Sequence, residues 1–284
     1  MPNKIIEKKQ LSENVFRMVL ESAKIAKKWR PGQFVVLRIH EEGERFPLTI
    51  ADTDQEKGTV TIVFQVVGKS TGHLADLNAG DEVLDLVGPL GKPTHIEKVG
   101  TVACIGGGVG MSLVYPIARA MKEAGNHVIT IIGARTKEMI FMEEEMRSVS
   151  DEFLVATDDG SRGYKGFVSL ALADMFIIPG TKIDLAVAIG PVPMMRAVCF
   201  ITKRYGIPTI VSLNPIMVDG TGMCGACRVS VGGKTKFVCV DGPEFDGHQV
   251  DFQGLMERQR TYLAEEKECY DHYCSSKRDE WGQW

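Results

Sequence analysis

The chain has 284 residues, 44% apolar and 25% charged, which is enough for two hydrophobic cores and unlike a disordered polypeptide. Its 33 basic and 37 acidic residues are intermixed, giving a formal net charge of -4 and no basic stripe for nucleic acid or anionic lipid. The basic N-terminus leads into polar Gln10-Leu-Ser-Glu-Asn14, and no apolar run reaches bilayer-spanning length. The expected setting is the cytoplasm, with neither nucleic acid nor membrane as partner.

In chain order, the first hundred residues predict short strands at Phe16 to Leu20, Phe34 to Ile39, Thr59 to Val67 and Glu82 to Val87. Turn signals at Pro31-Gly32, Glu42-Gly43 and Asn78-Ala-Gly80 separate them, a rhythm that predicts a small antiparallel barrel. On this barrel lie Arg45-Phe-Pro-Leu-Thr49 and Phe64-Gln-Val-Val-Gly68-Lys-Ser-Thr71-Gly72. An arginine and hydroxyls beside an apolar stretch suit a flavin, whose pyrophosphate needs charge-assisted donors and whose ring needs a dry wall. Gly68 to Gly72 opens a predicted helix through Leu77, and a helix N-terminus favours phosphate.

From about Thr101 the pattern becomes strand, glycine turn, helix, strand. Strands are predicted at Thr101 to Ile105, Val128 to Gly133, Phe153 to Thr157, Asp184 to Ile189 and Pro208 to Leu213, with helices over Val109 to Met121 and Pro193 to Tyr205. The alternation predicts a parallel, doubly wound sheet with ligands at the strand C-terminal ends. Three turns fall there: Gly106-Gly107-Gly108-Val109-Gly110, Thr157-Asp158-Asp159-Gly-Ser161, and Gly190-Pro191-Val192-Pro193-Met194. Glycines in the first let backbone approach a dinucleotide pyrophosphate, although their spacing departs from Gly-x-Gly-x-x-Gly. Arg135, after the second strand, is readable as a contact to a ribose 2′-phosphate.

Seven cysteines, three of them clustered, fit a reducing compartment better than a disulfide scaffold. Cys224, Cys227 and Cys239 follow the plant-type two-iron two-sulfur spacing, in which four residues separate the first two ligands and two separate the next pair. The first slot holds Asp219, a carboxylate able to ligate ferric iron, and Cys269 or Cys274 is the competing fourth ligand. A zinc site is the rival metal reading, but no second close cysteine pair completes four ligands. Cys104 and Cys199 read as buried apolar residues. Asp251 to Cys274 favours helix, and the aromatic stretch Tyr262 to Trp284 is a candidate cover for the cysteine loop or dock for a partner.

These constellations, in this order, resemble the ferredoxin-NADP reductase superfamily, in its branch with a C-terminal two-iron cluster. That branch includes the dihydroorotate dehydrogenase B electron-transfer subunit and the small subunit of NADH-dependent reduced ferredoxin:NADP oxidoreductase; aspartate in the first cluster slot is similar to the latter. The resemblance covers essentially the whole chain. It implies an FAD-binding barrel (1–98), an NAD-binding α/β domain (99–213), a two-iron cluster segment (214–247) and a helical tail (248–284). FAD is implied between Arg45, Pro47, Leu48, Thr49, Phe64, Gln65, Val66, Gly68, Ser70, Thr71 and Gly72. NAD(H) is implied over Gly107, Gly108, Val109, Gly110, Asp158, Asp159, Gly190, Pro191, Val192, Pro193 and Met194, and the 2Fe-2S cluster on Asp219, Cys224, Cys227 and Cys239. A large partner subunit with a second flavin and 4Fe-4S clusters is implied too, reaching ferredoxin through that subunit. Nicotinamide moves electrons in pairs and a cluster singly, so a flavin must stand between them, and no catalytic acid or base is expected of the protein.

Overall fold

The computed structural model describes residues 3–178 and 180–281, and Trp284 of the aromatic tail lies outside them. The first sheet is built from β1 (Asn3–Ser12), β2 (Val15–Glu21), β3 (Phe34–Arg38), β4 (Phe46–Asp54), β5 (Thr59–Gln65), β6 (Glu82–Val83) and β7 (Asp85–Leu90), with α1 (Ala23–Lys28) and α2 (Lys69–Asp76) in its connections. All its pairings are antiparallel, in the order β6-β1-β2-β5-β4-β3-β7. The two edge strands, β6 and β7, are separated in sequence by Leu84 alone, so the sheet curls until its edges meet and forms a nearly closed barrel. Alternate residues such as Met18, Leu20, Ile50, Ile62 and Phe64 fill its interior.

The second sheet carries β8 (Thr101–Gly107), β9 (His127–Ala134), β10 (Glu152–Thr157), β11 (Tyr164–Lys165), β12 (Leu185–Ile189) and β13 (Thr209–Ser212), all parallel. Its helices are α3 (Gly110–Glu123), α4 (Glu143–Ser148), α5 (Val168–Met175) and α6 (Val192–Arg204). On β8, Ala103 and Ile105 join the core under α5 and α6, while Val102 and Cys104 join the core under α3 and α4, so both faces are covered. The order β11-β10-β9-β8-β12-β13 reverses direction at β8, which puts the ligand crevice at the C-terminal ends of β8 and β12.

Beyond β13 come a hairpin of β14 (Arg228–Val231) and β15 (Lys234–Phe237), the short α7 (Val238–Asp241), β16 (Glu244–Asp246), α8 (Phe252–Gln259) and α9 (Leu263–Trp281). Strand β16 adds antiparallel to β13, so the cysteine segment is laced into the edge of the parallel sheet. The helix expected over Asp251 to Cys274 is two helices, interrupted between Gln259 and Leu263. No described helix is long and apolar enough to cross a membrane.

Candidate functional site

A cavity of about 410 Å³ lies at the reversal point of the parallel sheet, between that sheet and the barrel. Gly107, Gly108, Asp158, Pro191, Pro193 and Met194 line it from the sheet side, and Gln65 lines it from the end of β5. It also takes in Arg135, Phe167 and Ala197, of which only Arg135 stands out from sequence. Phe167 precedes a helix that is apolar on nearly every face, which hides the side turned to the cavity.

The glycine turn divides into two roles. Gly108 has φ +56 and open space where a Cβ would stand, which leaves backbone accessible to a ligand. A Cβ on Gly107 would lie 2.3 Å from Met194 Sδ, so that side chain lies over the turn. A Cβ on Gly110 would lie 2.1 Å from the Ile189 carbonyl oxygen, so this glycine serves the packing of α3 against β12. Gly110→Ala is expected to destabilise the chain by about 2–3 kcal/mol, because the obstacle is backbone that cannot turn away; thermal unfolding checks it. Gly190 likewise sits under Met194, and Val192 is buried in the core. Of the two aspartates, Asp158 lines the cavity, whereas Asp159 accepts from the Ser161 N–H at 3.0 Å and its hydroxyl at 2.7 Å and shapes the turn.

On the barrel, the Phe64 side chain points inward and stacks on Phe16 at 5.9 Å, so it serves the core and not a ligand wall. Pro47, Leu48 and Thr49 are half-buried on β4, and Val66 donates its N–H to Asn14. Arg45 is exposed, 3.7 Å from Asp85, whose carboxylate takes a closer 2.7 Å bond from Arg38. The N–H groups of Val67 and Gly68 both donate to the Thr71 hydroxyl, while Ser70 donates to Glu44. Space above Gly68 is open, a surface a phosphate could approach.

In the cysteine segment, the Cys227 and Cys239 sulfurs stand 3.3 Å apart, and both residues are almost fully buried, 1% and 2% exposed. Burial, with the Cys227 thiol beside it, pushes the Cys239 thiol above its ordinary range, so a metal here must displace protons. Cys224 is exposed. Asp219 accepts from the Thr221 N–H at 2.8 Å and the Cys224 N–H at 2.9 Å, and those backbone bonds, Thr221 first, hold its carboxyl below the usual carboxylate range. Asp219 therefore organises the loop. Among the described residues, no three His, Cys, Asp or Glu side chains are gathered as a metal site.

Gly220, Gly222 and Gly225 all take positive φ, and a Cβ on Gly220 would lie 2.8 Å from Val36 Cγ2, which seats the loop against the barrel. A buried thiol pair inside a glycine-turned loop fits a cluster better than it fits a surface turn. Helix α8 braces the loop: Arg258 donates to the Ala226 carbonyl at 2.9 Å. Cys269 and Cys274, the alternative ligands, ride on α9, which packs on α2. Of the aromatic stretch read as a cover for the cysteine loop or a dock for a partner, Tyr270 and Tyr273 lie against Gly72 of the barrel's α2 and not over the cysteine loop.

Three family models match the chain in sequence: an oxidoreductase FAD-binding domain over residues 2–95, an oxidoreductase NAD-binding domain over 104–200, and the iron-sulfur cluster binding domain of dihydroorotate dehydrogenase B over 214–251. A Thermotoga maritima homologue of the dihydroorotate dehydrogenase B electron-transfer subunit is 50% identical over 95% of each chain. The Bacillus cereus (strain Q1) electron-transfer subunit itself is 33% identical, covering 85% of this chain and 94% of that one. This chain belongs to that family of electron-transfer subunits. A solved structure of the NADH-dependent reduced ferredoxin-NADP oxidoreductase, studied for flavin-based electron bifurcation, contains a chain 49% identical. It covers 96% of this chain and 98% of that one, with a TM-score of 0.91. The ferredoxin reductase of carbazole 1,9a-dioxygenase shares the fold at 20% identity and a TM-score of 0.64. The family member described here is an oxidoreductase with FAD-binding, NAD-binding and iron-sulfur cluster binding domains.

Proposed function

We propose that this chain is the electron-transfer subunit of a bifurcating NADH-dependent reduced ferredoxin:NADP oxidoreductase. One observation carries the electron-transfer part: a single cavity joins Gln65 of the barrel to the β8 and β12 turns of the parallel sheet. Flavin supplies hydride chemistry toward nicotinamide and single-electron chemistry toward an iron-sulfur cluster.

The protein's own task is placement. Gly108 offers bare backbone to a dinucleotide, Met194 and Pro191 close over Gly107, and Phe167 and Val168 give the cavity an apolar wall. The barrel turn Gly68 to Thr71 would meet a phosphate through the open space above Gly68. Asp219, Cys224, Cys227 and Cys239 would hold the cluster on a loop seated against β3 and β7, which keeps it beside the flavin barrel.

Likeness to the bifurcating structure over nearly the full length, together with aspartate in the first slot, supports a large flavin and 4Fe-4S partner subunit and ferredoxin as the distant acceptor or donor. The proposed setting is the cytoplasm, where thiols stay reduced. The second reading is a dihydroorotate dehydrogenase subunit, favoured by the cluster-domain match over 214–251. Purifying the tagged chain from its source with bound partners separates them. A large subunit that couples NADPH oxidation to reduction of NAD and ferredoxin supports the first reading; one that oxidises dihydroorotate supports the second.

A further inference from the structure

Helix α9 meets the barrel at α2. A Cβ on Gly72 would come within 2.9 Å of Tyr273 Cε1 and 3.5 Å of Tyr270 Cε2, so the bare glycine is what lets two tyrosine rings seat on the helix. Tyr273 stands edge-on to His73 at 4.9 Å between ring centroids and runs nearly parallel to Tyr270 at 6.2 Å. Its hydroxyl donates to the Asp76 carboxylate at the end of α2.

These contacts matter because α2 has only eight residues, too few to hold a helix by itself in water. Leu74, fully buried, anchors it from the barrel side, and α9 covers it from the other. Gly68 caps α2 and its first turn carries Ser70 and Thr71, so their direction follows from how Gly72 to Asp76 are held.

We propose that α9 is a latch on α2, with Tyr273 as a positioning residue that fixes the turn Gly68 to Thr71 and so sets how tightly the chain retains FAD. The inference rests on reading that turn as part of the flavin site. It assigns to the last helix a role in cofactor retention in place of cluster cover.

The test uses the full chain, deflavinated and titrated with FAD while flavin fluorescence, visible circular dichroism and iron content are recorded. Tyr273→Ala is expected to weaken FAD binding about tenfold and alter the flavin dichroism with iron content unchanged, because a ring contact and a charge-assisted hydrogen bond are both lost. Tyr273→Phe keeps the ring on Gly72 and should fall between Tyr273→Ala and wild type. Wild-type FAD affinity in Tyr273→Ala would overturn the latch, as would loss of FAD and iron together, which marks general unfolding. A wild-type chain that takes up no FAD would overturn the flavin reading itself and the latch with it.

Discussion

Cys227→Ser is expected to remove the iron-sulfur absorption and cut the iron content of the purified chain at least tenfold, with flavin content unchanged. Loss of a residue that merely orients a ligand costs about 10- to 100-fold in metal affinity, and loss of a ligand thiolate costs no less. Cys227 is the sharpest position for this test because it is buried 3.3 Å from Cys239, receives the Cys239 N–H at 3.4 Å, and follows a carbonyl held by Arg258. Cys269→Ser on α9 is the control, expected to leave iron unchanged. Loss of iron in Cys269→Ser together with unchanged iron in Asp219→Ala would move the fourth ligand to the tail and displace Asp219. Iron analysis and the visible spectrum, recorded anaerobically, decide between them.

The second large effect belongs to Glu244. Its carboxylate sits on β16 where the cysteine segment, the barrel and the parallel sheet converge, and it accepts a 2.6 Å bond from the Thr94 hydroxyl. Gly32, with φ +88, makes room for that pair, since a Cβ there would lie 2.4 Å from Thr94 Oγ1 and 2.8 Å from Glu244 Oε1. Burial raises the carboxyl from 4.5 to about 7, and the Thr94 bond opposes that rise only in part.

Between those two values the folded chain holds a proton that the unfolded chain has lost. Stability from this group is therefore full below 4.5 and declines as pH rises to about 7, a difference of about 3 kcal/mol. Glu244→Gln keeps the shape and cannot ionise. It is expected to raise the unfolding temperature by roughly 6 °C at about pH 8 and to change it little at about pH 5. Equal effects at both values would show that the carboxyl ionises freely in the folded chain.

Much of this organisation is legible in the order of residues alone. The cysteine spacing depends on local geometry around a cluster, and the strand-glycine-helix rhythm after Thr101 depends on local packing, so both appear directly in the order of residues. The first strand, Asn3–Ser12, escaped because most of its side chains face solvent and its lysines and glutamate mask the alternation. Helix α5 escaped for the opposite reason, being apolar almost all round.

Residue roles were less legible than elements. Phe64 sits in the motif expected to meet flavin, yet the two-residue period of β5 turns its ring into the barrel. Gly110 belongs to the glycine turn but answers to the Ile189 carbonyl. Glu244 and Tyr273 take their roles from docking between distant parts of the chain, Thr94 in one case and Gly72 in the other, which no local pattern records.

Nicotinamide, flavin and iron-sulfur sites on one chain should exchange electrons without a partner. Anaerobic titration of the purified chain with NADH, followed by flavin absorbance and by electron paramagnetic resonance of the iron, tests it most directly. Flavin absorbance is expected to bleach and a reduced-cluster signal to grow in step with added NADH. A colourless chain holding zinc in the cysteine loop, with no response to NADH, would contradict it.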